Sequence, residues 1–217
     1  LAIAPDGRSF VTGSADHTAI LWSLQGQDLV HLPDHGSKIS EVAISDTFAL
    51  TACEDKYIRL WDHHGKPINK FKGPEQEIEC LIFHPDGNHF LMGLSNNTAA
   101  LWSLEGQEQQ VYTTQSDGIV TVSVAPDASS ILTGSRDGTI TIFNPQGFPI
   151  QTLNGHEMGV IHAAYMPNNN YIMSWGRDHI CKKWPYFLGQ AKTGALWKTI
   201  PQLDEEQRQR YKVDWKY

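Results

Sequence analysis

Hydrophobic residues in this chain come in short bursts of four to six, cut by turn residues at nearly regular intervals. One stretch shows the pattern whole: Thr121–Val124, then Pro126-Asp127, Ser130–Ser135, Asp137-Gly138, Thr139–Phe143, Pro145-Gln146-Gly147 and Pro149–Leu153. The runs are rich in Val, Ile and Thr, which suit a pleated and half-buried surface. Asp-Gly between two such runs is a hairpin signal. No segment before residue 200 keeps an apolar period of 3.6, so helices are not expected there. The reading is an all-β chain.

The bursts repeat. Trp22, Trp61, Trp102, Phe143 and Trp184 follow one another at steps of 39, 41, 41 and 41 residues. Six residues before each stands Asp16, Asp55, Asn96, Asp137 or Asp178, and four before that Thr12, Thr51, Met92, Thr133 or Ser174. Turn residues recur upstream at one phase: Pro5-Asp6-Gly7, Ser45-Asp46, Pro85-Asp86-Gly87, Pro126-Asp127 and Pro167-Asn168. Gly26, Gly65, Gly106 and Gly147 lie four residues after the aromatic, where a turn with positive φ is expected. Four strands in about 41 residues is the length and content of a propeller blade.

Many strand positions are apolar on both faces, as in Ile58–Trp61 and Ile140–Phe143. A sheet stacked between two neighbours buries both faces, so radial stacking fits better than an open sandwich. The expected fold is a propeller of five recognisable four-stranded blades.

On these columns the chain resembles the WD-repeat (WD40) family over roughly residues 1–184. Turns such as Ser-Leu-Gln-Gly-Gln and Ser-Leu-Glu-Gly-Gln resemble those of bacterial WD-repeat arrays. The fifth copy carries the family pattern most fully, with Gly155-His156, Ser174, Asp178 and Trp184. The resemblance implies that the last four side chains form a hydrogen-bonded tetrad that locks the blade. Equivalent tetrad positions are Thr51, Asp55 and Trp61, with His35 two residues out of phase; Thr12, Asp16 and Trp22; and Thr133 and Asp137. Pro74, Met92 and Asn96 exclude a tetrad from the third copy, and Gln115 and Phe143 replace His and Trp in the fourth. Recurrence of these residues argues for a structural role rather than a catalytic Ser-His-Asp set.

Residues 1–200 are read as blades and 201–217 as a C-terminal tail. Ala195–Ile200 is expected as the last outer strand. Asp204 followed by Gln207 resembles a capping box, so a short helix is expected over Glu205–Tyr211. The chain begins on Leu1 rather than Met. Closure is ranked as a piece of a longer propeller, then a five-blade ring, then a ring completed by blades from another chain.

Composition narrows the function. A net charge of −7 argues against nucleic-acid binding, which needs clustered Lys and Arg. No apolar run approaches the ~18 residues of a membrane span, and the opening residues do not resemble a signal peptide. Three cysteines without paired spacing suggest reduced thiols in a cytoplasmic protein. No phosphate-binding loop or zinc spacing is present, so no cofactor, no metal and no enzymatic activity are expected.

In the family, partners bind on the loops just before the tetrad Asp and just after the His. Glu54, Arg136 and Arg177, with Lys38 and Met158 nearby, are therefore the candidate partner-binding residues. Arg136 and Arg177 fall in consecutive blades and are expected to form a cationic patch for an acidic protein or peptide segment. Two positions break their columns: Trp175 stands where other copies have Gly or Ala, and Lys183 where they have Leu or Ile. The expected function is a non-catalytic protein-interaction scaffold; the alternative is a sensor propeller gating an upstream nucleotide-binding ATPase domain.

Overall fold

The computed structural model describes residues 1–26 and 28–186. The outer strand expected at Ala195–Ile200 and the helix expected at Glu205–Tyr211 lie outside them.

The described residues form five antiparallel sheets, each a simple meander in chain order. The first holds β1 (Ala2–Ile3), β2 (Ser9–Gly13), β3 (Ala19–Ser23) and β4 (Asp28–Leu32). The second holds β5 (Ile39–Ile44), β6 (Phe48–Cys53), β7 (Tyr57–Asp62) and β8 (Pro67–Lys72). The third holds β9 (Ile78–Phe83), β10 (His89–Leu94), β11 (Thr98–Ser103) and β12 (Glu108–Thr113). The fourth holds β13 (Ile119–Val124), β14 (Ile131–Ser135), β15 (Thr139–Phe143) and β16 (Pro149–Asn154). The fifth holds β17 (Val160–Tyr165), β18 (Tyr171–Gly176) and β19 (Cys181–Pro185), three strands among the described residues.

Neighbouring sheets stack through their first strands, β1 on β5, β5 on β9, β9 on β13 and β13 on β17. The core is accordingly divided into layers between sheets. Val11 and Leu21 share one layer with Ile39 and Val42. Leu50 and Leu60 share the next with Leu81 and Phe90. Leu91 and Ala99 meet Ile119 and Val122 in the third, and Leu132 and Ile142 meet Val160 and Ala163 in the fourth. No sheet buries both faces alone, so each depends on its neighbour.

Local turn chemistry sets the register. Gly26, Gly65, Gly106 and Gly147 all have positive φ, between 75° and 87°. In each of the four-stranded sheets a register shift falls at the residue pair ending in the column aromatic, such as Leu60/Trp61 and Ile142/Phe143. A bulge there turns the strand and re-aims the ring. No helix among the described residues is long and apolar enough to cross a membrane.

Candidate functional site

In the second to fifth sheets, the loop entering the first strand is tied to the turn between the second and third strands of the same sheet. The backbone N–H of Glu54 donates to Lys38 O (3.0 Å), Ser95 to Glu77 O (3.0 Å), Arg136 to Asp117 O (2.9 Å) and Arg177 to Gly159 O (2.8 Å). One end of the stacked sheets is therefore a set of paired loops on a rigid base. The candidate residues Lys38, Glu54, Arg136, Met158 and Arg177 all lie in these loops and are exposed.

Beneath the loops, the fifth sheet carries a complete network. Trp184 Nε1 donates to Ser174 Oγ (2.8 Å), which lies 2.7 Å from His156 Nε2; His156 Nδ1 lies 2.9 Å from Asp178 Oδ2. Continuity requires the Ser hydroxyl to donate to Nε2 and Nδ1–H to donate to the carboxylate. Asp178 also accepts the N–H groups of Glu157 (3.1 Å) and Ile180 (3.1 Å). Burial alone would raise its pKa, but the His156 ring and these N–H groups outweigh that and hold it below the usual carboxylate value. One side chain thus fastens both loops of the sheet. Asp178→Ala leaves the buried His156 N–H and the half-buried Ile180 N–H without an acceptor, so a loss of about 1–3 kcal/mol is expected. The check is a lower urea midpoint with an unchanged slope.

The other copies depart from the expected tetrads. In the second sheet, Trp61 Nε1 donates to Thr51 Oγ1 (3.1 Å), and His35 Nε2 lies 2.9 Å from the same oxygen. Asp55, however, pairs with Arg59 (Nη2 at 2.6 Å, Nη1 at 3.3 Å) instead of His35. The bidentate guanidinium outcompetes a neutral imidazole for the carboxylate. His35 is held below its ordinary pKa by burial and by the Arg59 charge. In the first sheet only Trp22→Thr12 is made (2.8 Å), while Asp16 is exposed and binds its neighbour Thr18. In the fourth sheet Thr133 Oγ1 is buried without a partner, because Phe143 offers no N–H, and Asp137 caps its own turn through Thr139. The third sheet leaves Trp102 Nε1 buried and unpaired, as Met92 cannot accept.

The expected arginine patch is also altered. Gly159 brings the two loops together: its carbonyl binds the Arg177 N–H, and its Cα lies against the Arg136 carbonyl. But the Arg136 guanidinium turns to Glu79 of the third sheet, at 2.8 Å. Lys38 likewise pairs with Glu54 at 3.1 Å. Exposed pairs of this kind hold little energy and exchange readily with a partner's charges.

Two features were missed in the sequence. A groove opens between the second and third sheets, lined by Lys38, Glu54, Tyr57, Pro74, Glu77 and Glu79. It lies where the third sheet has Pro74 in the His column; the turn residues could have signalled it. On the first strands, Glu41 is pushed up to about 7 by burial, with Glu79 adding to the rise. Its depth depends on neighbours far away in the chain. At the β9–β10 turn Asp86 lies between two histidines, 3.0 Å from His84 and 2.7 Å from His89. No group of three or more His, Cys, Asp or Glu among the described residues is placed to hold a metal ion.

Comparison with known proteins adds to this geometry. The sequence model described as WD domain, G-beta repeat (WD40) matches residues 1–23, 26–62, 65–103, 106–144 and 147–185. The chain is similar to the intraflagellar transport protein 122 homolog of Mus musculus, at 27% identity over 110 residues, covering 50% of this chain and 9% of that protein. It is similar to nuclear distribution protein nudF of Aspergillus niger, at 28% over 137 residues, covering 52% and 31%. WD repeat-containing protein 37 of Xenopus laevis is 28% identical over 120 residues, covering 52% and 24%. The chain thus spans less than a third of the length of each of these relatives.

Proposed function

The chain belongs to the WD domain, G-beta repeat (WD40) family, and from that premise we propose that it is a non-catalytic scaffold presenting its paired loops to a protein or peptide partner. The observation that carries the reading is the contrast between base and rim. The base is fixed by buried networks such as His156–Asp178, while the rim displays Lys38–Glu54 and Arg136–Glu79 as exposed, exchangeable ion pairs around an open groove. A rigid support with adaptable charges favours recognition over chemistry. Arg177 offers an exposed guanidinium next to the Arg136 loop. An acidic segment would take Arg177 directly and draw Arg136 away from Glu79.

The test is the full chain with Arg136→Glu and Arg177→Glu together. Loss of most co-purified protein by quantitative mass spectrometry, at an unchanged melting temperature, is the expected result. An identical set of co-purified proteins would remove the loop patch from the reading.

A further inference from the structure

The competition for Asp55 strands two hydrogen-bond donors on the second sheet. In the fifth sheet His156 Nδ1 meets the Asp178 carboxylate, but in the second Arg59 takes the equivalent Asp55 through both terminal nitrogens. Thr51 Oγ1 accepts from Trp61 Nε1, so its own hydrogen goes to His35 Nε2, 2.9 Å away, and His35 Nδ1 carries the ring's N–H. That Nδ1 is buried without a hydrogen-bond partner. Burial outweighs the nearby Leu32 carbonyl and keeps the ring neutral, and that carbonyl makes no bond to Nδ1. Arg59 adds the second orphan. The residue is 3% exposed, and its Nε, which can only donate, also has no partner. Buried donors without an acceptor are costly, and native structures rarely keep two in one place.

Both side chains line one cavity of about 450 Å³, bounded by the loop at 34–36 and by strands β7 and β8. Trp61 and Pro67 give it an apolar wall. Lys70 brings a third donor; its Nζ lies 4.7 Å from the Tyr57 ring centroid, and no carboxylate among the described residues pairs with it. Asp34 is the one carboxylate of the lining, and it is exposed. Nothing lies within 4 Å of the position a Cβ on Gly36 would take, so the loop side is open. An apolar wall with a few convergent polar groups is the usual build of a site for a small ligand group. The arrangement is peculiar to this sheet, since the Arg59 column holds Ile20, Ala100, Thr141 and Lys182 in the others. Of these only Lys182 is a cation, and it binds the Gly155 carbonyl.

We propose that this cavity binds one carboxylate group carried on a short methylene stem. The anion accepts from Arg59 Nε–H and His35 Nδ1–H with Lys70 beside it, and the stem lies along Trp61 and Pro67. Asp55 already neutralises Arg59, so Lys70 supplies the charge that a carboxylate entering the cavity needs. A charged acceptor also makes the stronger bonds to these donors, and a neutral one would leave the ammonium unanswered. An acidic side chain of a polypeptide and a free short-chain carboxylic acid present the same group. The site is separate from the loop ion pairs and stands independently of the scaffold reading.

The test follows the Arg59 Nε–H resonance of the nitrogen-labelled full chain by NMR during titration with sodium butyrate, with butyramide and sodium chloride as controls. A saturable downfield shift with butyrate alone is expected. Lys70→Gln should weaken this binding about threefold and Asp34→Asn should tighten it by a similar factor, the scale of one exposed charge. Both positions are exposed, so the fold is kept. A second arm replaces butyrate by the peptide acetyl-Gly-Glu-Gly-amide, with Gln for Glu as its control. Tighter binding of the Glu peptide than of butyrate supports the site with a polypeptide as the source of the group, and the reverse order supports it with a free acid. An unmoved Nε–H resonance, an equal response to butyramide or chloride, or a shift indifferent to both substitutions would overturn the proposal and leave water as the acceptor of the two donors. Arg136→Glu with Arg177→Glu should leave the butyrate response intact, so failure at the loops and failure at this cavity are separately visible.

Discussion

Asp55→Ala is expected to lower stability by about 3–5 kcal/mol, nearer the lower figure, because it strands a buried cation without its partner. The Arg59 side chain is only 4% exposed and gives both terminal nitrogens to Asp55, whose own side chain is 24% exposed. Partial access of water to the carboxylate tempers the loss. Asp55→Ala with Arg59→Leu should recover most of it, since no charge then remains buried among the apolar residues of the second sheet. Denaturant midpoints of the wild type, both single variants and the double variant form the required cycle. A small effect for Asp55→Ala would mean that Arg59 swings out to water.

The same pair sets a pH window. Burial raises the Asp55 pKa, but the Arg59 hydrogen bond outweighs it with help from the Tyr57 N–H, so the folded value lies below the ordinary one. A carboxyl depressed by folding contributes its full stability above its unfolded pKa of about 3.9 and loses it as the pH falls through the folded value. The stability gap between the wild type and Asp55→Ala should be constant at neutral pH and shrink below about pH 4.

Phe143→Ala is the second large effect, at about 3–5 kcal/mol, the range for an aromatic removed from a closed core. Phe143 is fully buried and stacks edge-on against Tyr112 of the third sheet, with centroids 5.7 Å apart. Its sheet lacks the Trp–Ser–His–Asp chain of the fifth, and its own polar side chains Asp137, Thr139 and Ser116 meet at the loop end, so around Phe143 packing is what it can lose. Thr133→Val makes the control. Its Oγ1 has no hydrogen-bond partner, so exchanging the hydroxyl for a methyl should be neutral or slightly stabilising. Chemical denaturation of the two variants separates a blade held by volume from one held by hydrogen bonds. Equal losses in both would refute that division.

The repeat was legible because its signals are local. Turn glycines, Asp-Gly pairs and column aromatics act within a few residues, and all five sheets follow them. The complete fifth network was legible for the same reason: His156, Ser174, Asp178 and Trp184 stand at family spacing. What the columns did not reveal is competition. Asp55 has the right spacing for His35, yet Arg59, four residues on, reaches it first. Arg136 and Arg177 occupy matching loops, but Glu79 lies on another sheet and claims the Arg136 charge. The groove beside Pro74 and the raised pKa of Glu41 depend on how neighbouring sheets meet.

The sequence by itself determined five strand-turn units, their order, the apolar layers between them and the two positions, Trp175 and Lys183, that break the rule. Periodicity suffices for this, since a strand's facing and a turn's geometry depend on near neighbours. Only the tertiary structure decided which carboxylate pairs with which cation and which polar atoms are stranded. Those outcomes turn on close approaches that column spacing does not rank, whether the rival is four residues away, as Arg59 is from Asp55, or 57, as Glu79 is from Arg136, and charges and close-packed side chains select a single partner from several that the spacing allows.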